Sequence, residues 1–242
     1  MTTSILQQQS STTTKNPGPQ TLPFSASGQW LKEGFDLFRK SPLKILFFAF
    51  LPMLFSGLIQ LLPAPFSIIA SKWFGAAALT LLWPLLHHIY RTGQFSFKSA
   101  FSAGNWLSVA LFGLSGILMA AMQLGVAMLV IGADAPGLLL HMEPTEVARW
   151  QLGVVFASAV PVVLLLAFAP AKILLENQNV MTAISASIRL SVKAWKPLTI
   201  VGAGYALQLF SAPYFIPAVI VIGPLMSCIM YVGYQQITAI YE

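Results

Sequence analysis

Charge is scarce in this chain. Seven acidic and thirteen basic side chains make up 8% of 242 residues, against 57% hydrophobic ones. Few charges and much apolar surface exclude an ordinary water-facing exterior, so a bilayer is the solvent that makes the sequence stable. Cysteine is scarcer still. Cys228 alone excludes an intramolecular disulfide and any cysteine-clustered metal site. Also missing are a phosphate-cradling glycine loop, a nucleophile elbow and an HExxH zinc pattern. His87 and His88 are adjacent, which sets them about 100° apart on a helix and spoils them as ligands to one metal. They read as polar caps at the inner end of a span. His141, with Glu143 and Glu146, reads as part of a solvated loop. The expectation is a non-enzyme with no catalytic, cofactor-binding or metal site.

What is present is a succession of long apolar runs. Residues 1–27 are rich in Gln, Ser, Thr and Pro, with too little apolar surface to offset the entropy of ordering, and read as a disordered polar tail. They carry no apolar h-region, and no arginine precedes Arg39, so the first span is expected to act as its own uncleaved insertion signal. Residues 28–242 read as one transmembrane domain. A crossing needs about 20 residues, and turn signals such as Pro63, Pro65, Pro213 and Pro217 divide the rest into six spans, about 43–62, 66–88, 107–131, 152–175, 198–211 and 217–237. The predicted fold class is therefore all-α, a polytopic transmembrane helical bundle.

Three amphipathic stretches precede pairs of spans, at 30–40, 95–105 and 180–196. In the first, Leu31, Phe35 and Phe38 share a stripe opposite Lys32, Asp36 and Lys40. Such short helices are expected to lie at the cytoplasmic interface. The first and third align at an offset of 155 residues, pairing Pro42 with Pro197 and Leu43 with Leu198, which raises the possibility of internal repetition. Ten basic residues fall on the side holding these stretches, whereas Lys72, Arg149, Asp134, Glu143 and Glu146 mark the other. Lys/Arg-rich short loops stay inside, so both termini are predicted to be cytoplasmic. Trp30, Trp106 and Trp195 at inner boundaries and Trp150 at an outer one form the matching aromatic belts. The net charge of +6 is explained by topology, and no nucleic acid partner is expected.

The polar residues inside the spans are the candidate sites. Lys72 is either an intramembrane functional charge or, lying ~9 Å along its helix from Phe66, a side chain that snorkels to the outer interface. Lys172 and Glu176 are spaced i,i+4 and read as a self-neutralising pair or as part of a polar path. Gln60, Gln123 and Gln208 are expected to make interhelical hydrogen bonds, and the Gly153/Ala157 and Gly202/Ala206 spacings suit close helix packing. Arg189, Lys193 and Lys196 recur on one face of the third amphipathic stretch, with Ile184, Ile188 and Trp195 entering the headgroup boundary. This face is the candidate site for anionic lipid headgroups.

Two segments carry a family likeness. WLKEGFDLFRKSP at 30–42 resembles the amphipathic W-x-x-E-G-F-type opening of a family of uncharacterised bacterial inner-membrane proteins. APAKILLENQNVMTAISASIRLSVKAWKPL at 169–198 resembles that family's second hallmark, with Glu176 after a proline-ended span, then Ala183, Ser187 and Trp195. More loosely, the layout is similar to the membrane domain attached to some bacterial glycerophosphodiester phosphodiesterases. The likeness implies a six-span, multi-pass protein of the bacterial inner membrane and implies no reaction. The functional expectation is a membrane-organising, lipid-associated or accessory protein, with membrane lipids, a membrane-protein partner or a second copy as partners and no cofactor. The alternative is a small transporter whose path uses Lys72, Gln123 and the Lys172/Glu176 pair.

Overall fold

Helices form wherever the apolar runs predict them, and among the described residues there is no strand. The computed structural model describes residues 22–102, 105–141, 143–144 and 146–241, the side chains of 216 and 218 aside. Most of the polar tail assigned to 1–27 lies outside the described residues. Its last part does not behave as a tail: Leu22 is buried and α1 (Ala26–Arg39) has already begun. Ser41 departs from helical geometry at φ −156° and ψ 59°, and Pro42 opens α2 (Pro42–Ile59), where its missing N–H costs nothing.

Later crossings are broken helices. The second consists of α3 (Phe66–Leu79) and α4 (Leu82–Thr92). Pro84 cannot donate to the Thr80 carbonyl and its ring crowds that oxygen, so the Trp83 N–H donates there instead at 3.1 Å. After the single turn α5 (Phe97–Ala100), α6 (Trp106–Phe112) and α7 (Leu114–Val130) meet at Gly113 with no proline nearby. The cause is tertiary. Trp73 Nε1 donates to the Ala110 carbonyl at 2.8 Å, the acceptor that a continuous helix would offer to the Leu114 N–H. A short helix, α8 (Ala135–His141), stands in the 132–151 loop. The fourth crossing is α9 (Arg149–Ala157), α10 (Val160–Leu166) and α11 (Ala169–Leu174), interrupted ahead of Pro161 and Pro170.

Asn179 then caps α12 (Val180–Lys193) by accepting from the Thr182 N–H at 2.9 Å. This helix repairs the broken crossing. Ser187 Oγ donates to the Leu165 carbonyl at 2.7 Å and accepts from the Phe168 N–H at 3.1 Å, while Ser191 Oγ donates to the Leu164 carbonyl at 2.9 Å. Backbone groups freed within a membrane need such partners. Ser187→Ala is therefore expected to destabilise the protein by about 1–3 kcal/mol, read by unfolding in mixed micelles. Ser185→Ala, on the exposed side of α12, should stay within about 0.5 kcal/mol of the parent.

The chain closes with α13 (Trp195–Ser211) and α14 (Ile216–Tyr241). Among the described residues, five helical segments are long and apolar enough to cross a membrane: Pro42–Ile59, Phe66–Thr92, Trp106–Val130, Arg149–Leu166 and Val219–Tyr241. At 17 residues α13 falls just short, since ~26 Å of helix meets a ~30 Å core. Yet it runs antiparallel beside the fourth crossing, Gly153 against Phe210 and Gly202 against Leu164. The Leu22 N–H also lies 3.3 Å from the Tyr241 hydroxyl, so both described ends share one face.

Small and amide side chains join the crossings. Gln60 Nε2 donates to Ser71 Oγ at 3.0 Å between α2 and α3. Gln123 Nε2 donates to the Val155 and Phe156 carbonyls at 3.4 and 3.5 Å between α7 and α9. Gly116 sits directly on the Lys72 carbonyl and Ala76. Gln208 departs from the expectation: it lies between helices, yet neither atom of its amide finds a partner.

The amphipathic helices choose different partners. In α1 the buried face is Trp30, Gly34, Leu37 and Phe38, while Leu31 and Phe35 of the expected stripe are exposed. Its buried side docks antiparallel on α14, with Gly34 against Ile229 and the Trp30 ring on Gly233. In α12 the small residues Ala183, Ala186 and Ser187 face the bundle, and Met181 and Val192 are 73% and 60% exposed. Both helices have 14 residues and both precede a span with a proline near its start. The middle stretch, 95–105, supplies only the turn α5, and residues 103–104 lie outside the described residues.

Candidate functional site

The strongest polar constellation gathers around Lys172 of α11. Its side chain is 1% exposed, and its ammonium donates to Glu176 at 2.8 Å (Oε1) and 3.0 Å (Oε2). After α11, Asn177 adopts φ +53°, the left-handed geometry that asparagine tolerates. The chain thereby turns back, and the Gln178 N–H reaches the Lys172 carbonyl at 3.0 Å. Gln178 Nε2 then donates to Glu176 Oε2 at 3.0 Å. Tyr234 of α14 donates its hydroxyl to Glu176 Oε1. Four donor contacts meet a carboxylate with about four lone-pair sites. The arrangement is a lock across α11, the 175–179 turn and α14.

Aromatic rings line the lock. The Lys172 ammonium lies 5.7 Å from the Tyr234 ring centroid, within cation–π range. Trp83 meets Tyr234 edge-on at 5.8 Å and Tyr231 at 6.0 Å. His87 Nδ1 is 2.8 Å from the Tyr231 hydroxyl. His87 therefore serves α4–α14 packing instead of merely capping a span. Sequence reading found Lys172 and Glu176 by their spacing but missed Gln178, Tyr231 and Tyr234. The available signal was Tyr231 and Tyr234, two polar-tipped rings one turn apart in an otherwise aliphatic run.

The other candidates stand apart from this lock. Lys72 is exposed at the middle of α3. Gln123 spends its amide on α9 carbonyls. A cavity of about 260 Å³ opens between α3, α4, α6, α7, α10, α11, α13 and α14, walled mainly by apolar groups such as Leu79, Phe112, Met119 and Met226. None of Lys72, Gln123, Lys172 and Glu176 lines it. No group of three or more His, Cys, Asp or Glu residues among those described is arranged to hold a metal ion.

The basic face of α12 lies outermost. Arg189 and Lys193 of α12 are exposed, whereas the expected third member of the face, Lys196, lies past the helix end at Ala194, in α13, and is half-buried. Lys193 Nζ stands 5.1 Å from the Tyr241 ring centroid and Lys196 Nζ 5.9 Å from that of Trp195. These contacts hold the basic side chains at the ends of α13 and α14 nearest the lock, beside exposed Met181, Ile188 and Val192. A helix built in this way offers cations and an apolar face to the same lipid surface. Compared with family models, with curated proteins and with solved structures, the chain matches none.

Proposed function

We propose that this chain is a non-enzymatic, lipid-associated protein of the bacterial inner membrane, with both termini cytoplasmic, that organises or assists lipids or partner membrane proteins. The observation that carries the reading is the outward face of α12. Arg189 and Lys193 are exposed together with Met181, Ile188 and Val192, and with Trp195 at the start of α13, so charge and apolar surface meet where headgroups and acyl chains meet. The inner leaflet is anionic, and each basic residue near it contributes about 1 kcal/mol. The polar residues that a transport path would need are spread over the middle of α3, the α7–α9 contact and the closed Lys172–Glu176 lock, which supports the lipid-associated reading over a permease.

The test replaces Arg189, Lys193 and Lys196 together by glutamine. Anionic lipid co-purifying in mild detergent is expected to fall several-fold while the melting temperature holds. Unchanged phosphatidylglycerol and cardiolipin per mole of protein would reduce these charges to topological signals.

A further inference from the structure

The central cavity carries an inference that deepens, and rests on, the lipid-associated reading. Its walls are apolar, but polar groups without partners surround it. Ser115, on the wall from α7, has a buried hydroxyl with no hydrogen bond. Gln208 of α13 is 4% exposed, and both its amide atoms are unpartnered. The amide lies behind Gly223, a wall residue, where an added Cβ would stand 3.6 Å from Gln208 Nε2. Buried polar groups in folded proteins are nearly always hydrogen-bonded, so each such orphan calls for an explanation.

Depth and volume narrow the occupant. The wall includes Thr80, at the middle of the Phe66–Thr92 crossing, so the cavity lies well inside the hydrocarbon region. A charged headgroup is excluded there by its desolvation cost. A phospholipid's ester carbonyls lie near the interface, about 15 Å from the bilayer centre, and its acyl chains offer nothing to a hydroxyl or an amide. A dry apolar cavity of ~150 Å³ accepts a benzene ring, and about 260 Å³ accommodates a substituted one. Trp83 and Phe112 offer ring faces and edges, and Met119, Met226 and Met230 offer adaptable walls.

We infer that this cavity binds an uncharged, bilayer-dissolved ring compound carrying carbonyl oxygens, of the quinone class, with the Ser115 hydroxyl on its wall as the hydrogen-bond donor. The site is a binding site, and no electron transfer is assigned to it.

The full chain, purified into phosphatidylcholine nanodiscs, is titrated with a decyl-substituted benzoquinone, and bound quinone and melting temperature are read together. Saturable binding near one per chain is expected, with a matching rise in melting temperature. Ser115→Ala should weaken affinity by about two- to tenfold. Gly223→Leu, which adds bulk at the wall where a Cβ alone meets only Gln208 Nε2 at 3.6 Å, should weaken binding too. Absence of binding to the parent chain, equal binding by all variants, or equally tight binding of decane each overturns the inference. The Ser115 variant decides the matter even if Gly223→Leu fails to fold. Anionic lipid is measured on the same samples. Lost quinone binding with anionic lipid retained overturns this inference alone. Quinone binding that persists while the triple glutamine variant keeps its anionic lipid overturns only the α12 reading.

Discussion

Glu176→Gln is expected to lower the unfolding free energy by about 3 kcal/mol. Removing one member of a buried ion pair strands the other charge, at a cost of about 3–5 kcal/mol. The lower end applies because Glu176 is 33% exposed while Lys172 is 1% exposed. The same physics makes the double variant informative. Lys172→Met with Glu176→Gln removes both charges, and apolar replacement of buried pairs is often neutral or stabilising, so most of the loss should return. Tyr234→Phe, which deletes only one donor to the carboxylate, should cost about 0.5–1.5 kcal/mol. Unfolding in mixed micelles reads all three. A Glu176→Gln variant as stable as its parent would show that the lock does not hold α11 against α14.

Trp30→Ala is expected to release α1 from α14 at a cost of about 3–5 kcal/mol, the range for truncating a fully buried large aromatic. Trp30 is 0% exposed, its ring lies on Gly233, and its Nε1 donates to Gln236 Oε1 at 2.8 Å. Trp30→Phe keeps most of the ring and loses the hydrogen bond, so about 1 kcal/mol is expected. Gly233→Val should reproduce the release from the other side, because an added Cβ would stand 2.9 Å from the Trp30 ring. Limited proteolysis between 26 and 39 measures the release directly. Cleavage no faster than in the parent would mean that Gly34 packing and the Leu22–Tyr241 contact suffice to hold the helix.

These two tests bear on contacts of different legibility. The helices of the bundle follow from composition, because a chain with 8% charged residues has to satisfy its backbone within helices once water is absent. The breaks before Pro84, Pro161 and Pro170 are equally local: a proline lacks its N–H in any surroundings. Lys172 and Glu176 announce themselves by i,i+4 spacing, and the glycines at 153 and 202 by small-residue spacing. None of this reveals a partner.

What only the tertiary structure decided is which surfaces meet. The Gly113 break is imposed by Trp73 from a neighbouring helix, which approaches there because Gly113 lacks a Cβ that would stand 2.7 Å from Trp73 Nε1. The apolar stripe read on α1 was a genuine face, but α14 selected the one beside it, where Gly34 and Gly233 allow close approach. The lock around Glu176 needed Tyr234, 58 residues away, and the unpartnered amide of Gln208 is visible only once every neighbour is in place. By itself the sequence determined the solvent, the helices and their prolines, because those are properties of composition and of single residues. The pairing of helices was decided in three dimensions, because shape fit and polar satisfaction belong to two surfaces at once.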